Sequence, residues 1–109
     1  MADLSIDFLG KRMVNPFMIA ATPSSDNYEM IKKGFDVGWA GAVIKTTSVE
    51  GQAVPLKYPM MYGLPMDGKR SMALANIDLI SEHHIDEVEE MVKRLKKEYP
   101  DRLLMSSIM

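Results

Sequence analysis

The chain has 109 residues, no cysteine and a formal net charge of −2, with 47% hydrophobic and 26% charged residues. This composition predicts one globular domain at most and excludes a disulfide framework, a thiolate zinc site or an iron–sulfur cluster held by this chain. The weakly acidic balance disfavours nucleic acid or a membrane surface as the partner, and without a membrane span or a signal-like start a cytoplasmic protein is expected.

The first predicted elements are a hairpin and a strand. Residues 4–8 alternate apolar and polar side chains before Gly10 and Lys11 interrupt the pattern, which is typical of a small hairpin. The apolar run at residues 17–21 (FMIAA) follows an Asn-Pro pair and ends in a loop of turn formers. A short continuous apolar run of this kind predicts a strand that is buried on both faces.

Helical spacing begins after residue 27. Tyr28, Ile31 and Phe35 share one face, and Gly38 stands where the helix is expected to end. Residues 42–46 then supply a second strand. Strand, helix and strand in this order predict a βαβ unit with parallel strands and a right-handed crossover.

The rest of the chain is predicted as a long loop, a second helix and a third strand. Residues 47–75 are rich in glycine and proline, yet apolar enough to pack over another part of the protein. A short helical turn is predicted at residues 77–81. The apolar face of the following amphipathic helix comprises Ile85, Val88, Met91, Val92, Leu95 and Tyr99. Residues 103–109 form a third strand with an open apolar edge, so an incomplete fold is expected.

Side chains that suit a ligand site come at the ends of the predicted strands, where α/β proteins gather their functional groups. They are Ala20 and Ala21, Lys45 and Thr46, and, before the second long helix, Asn76 and Asp78. Small side chains let a flat ring approach, a lysine stabilises negative charge, and asparagine offers a donor and an acceptor. Each has an alternative: the alanines fill a core, Lys45 extends to solvent, and Asn76 caps a helical turn.

The neighbouring His83 and His84 invite a metal-binding interpretation. Adjacent residues on a helix point in different directions, so two ligands to one ion are not expected from this pair. Surface positions at the start of the second helix are predicted instead.

Four segments in order carry a family resemblance: residues 15–23 (NPFMIAATP), 38–46 (GWAGAVIKT), 76–82 (NIDLISE), and 99–101 (YPD) with 106–109 (SSIM). Together they resemble the dihydroorotate dehydrogenase-like flavoproteins, most closely the dihydropyrimidine dehydrogenase branch. The resemblance implies an FMN-dependent (β/α)8 TIM barrel. Residues 1–109 would be its N-terminal portion, with the hairpin, about three parallel strands and two helices, incomplete in this chain.

The resemblance also implies roles for individual residues. Ala20 and Ala21 would lie against the flavin, Lys45 would approach its reducible end and stabilise the anionic reduced ring, and Thr46 would support the same region. Asn76 would contact both the cofactor and the pyrimidine. Asp78 stands where the branch carries glutamate, and Asp78 and Ile80 would complete the substrate contacts.

The implied activity is interconversion of a pyrimidine, uracil or thymine, and its 5,6-dihydro form. The family's catalytic cysteine or serine follows the third strand, so no catalytic residue is expected in this chain. The chain alone is therefore expected not to catalyse the reaction. An electron-transfer partner subunit or domain, iron–sulfur clusters in regions outside this chain and a homo-oligomer are further expectations. The alternatives are a dihydroorotate dehydrogenase fragment and a non-catalytic βα module that self-associates through its third strand.

Overall fold

The computed structural model describes residues 2–50, 61–66, 68, 70–76 and 79–109. In chain order, the elements are β1 Ile6–Phe8, β2 Lys11–Met13, β3 Met18–Ile19, a 3-10 turn Pro23–Ser25, α1 Tyr28–Asp36, β4 Gly41–Thr47, β5 Met61–Met66, β6 Arg70–Asn76, α2 Ile85–Glu98 and β7 Leu103–Ile108. The fold is mixed α/β. Within the described ranges, no helix has the length and apolar character needed to cross a membrane.

The central sheet has three parallel strands in the order β3, β4, β7. Gly41 of β4 is level with Met18 of β3 on one side and with Leu103 of β7 on the other. A Cβ atom on Gly41 would lie 2.9 Å from the Leu103 carbonyl oxygen, so glycine permits the close approach of β4 and β7. The predicted βαβ unit and the third parallel strand are confirmed.

Both helices pack against this sheet and bury a single apolar core. The buried cluster consists of Ile19, Ile31, Phe35, Ala42, Ile44, Val88 and Leu95. Tyr99 adds an edge-on contact to Phe35, with the ring centroids 5.3 Å apart. The apolar faces predicted for the two helices are therefore the faces that pack against the sheet.

The helix ends also agree with the sequence prediction. Asn27 caps α1 by accepting a hydrogen bond from the Met30 backbone at 3.0 Å. Gly38 follows α1 with φ of +106°, a conformation that favours glycine. At the other helix, α2 runs to Glu98 and Tyr99 is its C-cap, directly before the proline that cannot continue it.

The N-terminal hairpin is confirmed as well. β1 and β2 are antiparallel, with Phe8 opposite Lys11. The two connecting residues, Leu9 and Gly10, have φ of 50° and 73°. Positive φ at both positions is what a type I′ hairpin turn requires.

The first parallel strand differs from its prediction. β3 spans only two residues, and Phe17 just before it exposes 55% of its surface. β3 lies at the sheet edge. Ile19, which faces the helices, is buried, whereas Phe17 and Ala20 on either side of β3 are exposed. The prediction of a strand buried on both faces is wrong, because an apolar run alone does not distinguish an edge strand from a central one.

The predicted irregular loop at residues 47–75 contains a second hairpin. β5 and β6 are antiparallel, and Gly68 between them has φ of +67°. The pairing register shifts between Leu64 and Pro65, which is how a strand accommodates a proline. The prediction of irregular structure is therefore wrong for this part, because proline and glycine are typical of loops but also occur in a hairpin with a register shift. Residues 51–60 of the same prediction lie outside the described residues.

The predicted packing of that loop is not seen for its described apolar side chains. Met61, Leu64 and Leu74 expose 67%, 50% and 73% of their surfaces. The hairpin thus presents apolar side chains to solvent in this chain, which is unusual for a monomeric surface when such side chains are grouped.

Two polar clusters connect α1 with the end of α2. The Tyr28 hydroxyl donates to Glu98 at 2.6 Å, and this hydrogen bond lowers the pKa of the Glu98 carboxyl. Asp36 accepts hydrogen bonds from Tyr99 and Lys32, and these contacts, the first being the stronger, lower the pKa of Asp36. Both carboxylates therefore favour their ionised form in the folded state.

We expect the folded state to lose stability in acid through these two carboxyls. A folded-state pKa below the ordinary values of 3.8 for Asp36 and 4.5 for Glu98 means stabilisation that is present above those values and lost as pH falls through the folded pKa. Urea unfolding between neutral pH and about pH 3 measures the loss. Asp36→Asn and Glu98→Gln should flatten the pH profile, whereas Glu50→Gln, in the exposed segment after β4, should not. An unchanged profile in both variants contradicts this prediction.

Candidate functional site

Lys45 is buried near the carboxyl end of β4, with 8% of its surface exposed. Side chains alternate across a strand, and Ala42 and Ile44 point into the core beneath the helices. Lys45 therefore lies on the opposite face of the sheet. The interpretation of Lys45 as a side chain that extends to solvent is wrong, because this face of the central strand is covered at that level.

Hydroxyl groups occupy the same end of the sheet. Thr46 Oγ1 lies 2.8 Å from Ser107 Oγ on β7. The buried Thr47 hydroxyl donates to the Lys45 carbonyl oxygen at 3.1 Å. The register between β4 and β7 shifts between Ile44 and Thr47, and irregularities of this kind re-aim side chains at strand ends.

Ala20 and Ala21 leave β3 at this carboxyl edge. The buried Ser25 hydroxyl donates to the Ala20 carbonyl oxygen at 2.9 Å, which ties the 3-10 turn back to the strand end. The turn in addition contacts β4. Ala20 is exposed and Ala21 half-buried. The interpretation of Ala20 as core filler is therefore wrong, and a small side chain borders open space beside the strand that carries Lys45.

The predicted substrate segment reaches this edge through Ser81. The Ser81 backbone N–H donates to the Thr46 carbonyl oxygen at 2.7 Å, so the half-buried Ile80 lies next to the end of β4. Residues 79–81 are not helical, which contradicts the predicted turn there, because this segment bonds to a strand end instead. Asn76 is the last residue of β6 and its side chain lies outside the described residues, as does all of Asp78.

The structure thus gathers most of the predicted site at one edge of the parallel sheet. The gathered residues are Ala20, Ala21, Lys45, Thr46 and Ile80. Ser107 joins them through Thr46 and was missed as a site residue, although its position at the end of the third strand was the signal that could have found it. A buried cation beside small side chains and hydroxyls suits a flat ligand that carries or gains negative charge.

The two histidines are exposed and belong to the start of α2, as predicted. His83 Nδ1 lies 2.8 Å from Glu87 Oε2, and the His84 ring accepts a hydrogen bond from the Asp86 backbone as the N-cap of α2. Within the part of the chain that the structure describes, no three potential metal-ligating side chains of the His, Cys, Asp or Glu type come together.

Comparison with known proteins gives relatives along nearly the whole chain, although no family model matches it. It is 36% identical over 113 aligned residues to the protein named dihydropyrimidine dehydrogenase (NADP(+)), chloroplastic, from Arabidopsis thaliana. It is 35% identical over 109 residues to the NAD-dependent dihydropyrimidine dehydrogenase subunit PreA of Escherichia coli (strain K12). Each alignment covers 98% of this chain. The chain is similar to dihydropyrimidine dehydrogenases.

The similarity covers one part of those longer dehydrogenases. The chain spans 26% of the length of each relative, about a quarter. Their names agree with the pyrimidine-reducing branch of the resemblance described above. The wider dihydroorotate dehydrogenase-like family and the complete barrel remain predictions.

Proposed function

We propose that this chain supplies the amino-terminal part of an FMN-dependent TIM-barrel oxidoreductase that interconverts uracil or thymine and the 5,6-dihydropyrimidine. The observation that carries the proposal is 35–36% identity to two dihydropyrimidine dehydrogenases across 98% of the chain. The parallel βαβ arrangement with a third strand is compatible with the first part of such a barrel.

The residues at the carboxyl edge of the sheet fit a flavin. Ala20 is small and exposed, which suits the close approach of a flat ring. Lys45 is a buried cation one strand away, and a charge in a poorly solvated position acts strongly on a neighbouring negative charge. FMN, when bound, supplies reversible transfer of two electrons. Lys45 would favour the ring in its negatively charged reduced form, and Thr46 would hold the strand end in place through Ser107.

Substrate recognition is assigned to the segment before α2. Asn76, with its amide donor and acceptor, suits the edge of a pyrimidine, and Asp78 adds an acceptor. Ile80 would pack beside them because Ser81 holds this segment to β4. Asn76 would also contact the cofactor.

The remaining chemistry belongs to regions outside this chain. Reduction adds a hydride to one ring carbon and a proton to its neighbour, and the proposed proton donor is a cysteine or serine that follows the third strand. The chain holds no cysteine, so iron–sulfur clusters would be carried elsewhere in the protein or by an electron-transfer partner. The name of the Escherichia coli relative, which describes a subunit, supports such a partner.

The proposal is tested on protein produced from the continuous reading frame that contains this segment. We expect a yellow protein that releases FMN on denaturation and whose chemically reduced flavin is reoxidised by uracil or thymine in the absence of oxygen, a reaction that needs no electron-transfer partner. A colourless protein contradicts the flavin assignment, and turnover with orotate or dihydroorotate alone indicates the alternative dehydrogenase. The 109-residue chain by itself is expected to bind little FMN and to show no turnover.

A second candidate is a non-catalytic βα module that associates with itself. The exposure of Ile108 and Met109 at the end of β7, at 65% and 69%, favours such an interface. Light scattering separates the candidates, because a discrete dimer with cooperative unfolding supports the module and polydisperse aggregate supports an incomplete barrel.

A further inference from the structure

A cleft of 280 Å³ lies at the amino edge of the parallel sheet, opposite the edge that carries Lys45. It is enclosed by β2, the last turn of α2 and the start of β7. Its ionisable lining residues are Lys11, Arg12, Lys96, Asp101 and Arg102. One water occupies about 30 Å³ of liquid, so the cleft has room for a phosphate-sized ion with part of its hydration shell.

Positive charge is concentrated in this cleft. Four cationic side chains and one carboxylate line it, although the whole chain carries a net charge of −2. Arg12 is paired with Asp7 at 3.3 Å and with Asp3 at 3.8 Å on the exposed surface, and these carboxylates offset its charge, so Lys11, Lys96 and Arg102 supply the positive charge of the cleft. Lys11 makes no ion pair with any residue that the structure describes.

Lys96 and the end of α2 are already organised. The Lys96 ammonium donates to the carbonyl oxygens of Pro100 and Arg102 at 3.0 and 2.7 Å. Lys96 lies in the last turn of α2, where its positive charge offsets the partial negative charge of the helix C-terminus, which otherwise repels an anion. The ammonium also holds the connection between α2 and β7 in the shape that forms one wall of the cleft.

Arg102 is the feature that points to an anion. Its side chain is 17% exposed, and Nη1 is bonded to Asp101 at 2.5 Å. Its Nε atom is closed to solvent and has no acceptor among the described residues. A buried donor on a charged group without an acceptor is costly, and an oxygen supplied by a ligand removes that cost.

We infer that this cleft binds a small oxyanion, a phosphoryl or carboxylate group, with Arg102 as the hydrogen-bonding anchor and Lys11 as the second charge. Guanidinium groups bind both kinds of oxyanion through paired N–H donors. The site lies at the sheet edge opposite the proposed flavin position, and nothing in the inference depends on pyrimidine chemistry.

The test titrates protein from the continuous reading frame that contains this segment with inorganic phosphate and, separately, with malonate at constant ionic strength, and follows the Arg102 Nε–H and backbone signals by NMR. We expect saturable binding of at least one anion, with shifts at Lys11 and Arg102. Arg102→Gln should weaken it about tenfold, as loss of a charged hydrogen bond does. Stronger binding of phosphate identifies a phosphoryl ligand, and stronger binding of malonate a carboxylate.

Lys93→Gln is the matched control. The substitution removes one positive charge, as Arg102→Gln does, but Lys93 lies on the exposed face of α2 beside Glu89 and Glu90. It should change affinity less than about twofold. Arg102→Lys keeps the charge but lacks the Nε donor, and Lys11→Gln removes the second charge. If Arg102→Gln does not fold, these two variants test the anion site in its place. No saturation below about 10 mM, or wild-type affinity in both of these variants, overturns the inference.

Discussion

Lys45→Met is expected to lower pyrimidine-dependent turnover of the assembled flavoprotein by about a hundredfold. A fixed charge that acts on developing negative charge in a poorly solvated site contributes about two to three orders of magnitude to rate. Methionine fills a similar volume, so the substitution removes the charge and keeps the space occupied. Steady-state assays on protein from the continuous reading frame measure the effect.

FMN content and the reduction potential of the bound flavin separate this role from a structural one. Lys45→Met should make the flavin harder to reduce, and Lys45→Arg should restore part of the potential and the rate because it restores the charge. Lys33→Met, on the exposed side of α1, removes the same charge away from the site and should leave both unchanged. Normal turnover and potential in Lys45→Met rule out the role proposed for Lys45.

Phe35→Ala should destabilise the fold by about 3–5 kcal/mol, the usual cost of truncating a buried aromatic residue. Phe35 exposes 2% of its surface, and its ring packs against Tyr99 from the end of α2. Removing the ring leaves a cavity between both helices and the sheet. Because the free energy of unfolding of a small domain is only about 5–15 kcal/mol, this loss shifts the equilibrium substantially toward the unfolded state.

Urea unfolding of protein from the continuous reading frame measures this change. Val37→Ala serves as the control because Val37, two residues away, exposes 78% of its surface. Its effect should stay within about 0.5 kcal/mol. A loss below about 1 kcal/mol for Phe35→Ala means that the core around α1 is not packed as described.

The helices were predictable because their signals are local. Ile31 and Phe35 recur at helical spacing, and Gly38 takes the left-handed conformation that ends α1. β3 and the β5–β6 hairpin were harder to predict from the sequence. Whether Phe17 is buried depends on which strands pair beside β3, and whether Pro65 breaks a strand depends on a register shift in its partner.

The candidate site also has features that the sequence predicts and features that depend on the folded structure. That Ala20, Ala21, Lys45 and Thr46 come at strand ends follows from the order of apolar runs, and parallel pairing then brings such ends to one edge. The burial of Lys45 and the contact between Thr46 and Ser107, 61 positions apart, depend on long-range packing. No local pattern contains that information.

By itself, the sequence determined the two amphipathic helices, the N-terminal hairpin and the parallel βαβ order, because hydrophobic period and glycine conformation act over a few residues. Only the tertiary structure decided which lysine is buried and where positive charge collects. Lys11 is distant in the chain from Lys96 and Arg102, and the three share one cleft only after α2 and β7 fold against the hairpin. Burial and electrostatic fields are sums over neighbours in space, so they exist only once the chain has folded.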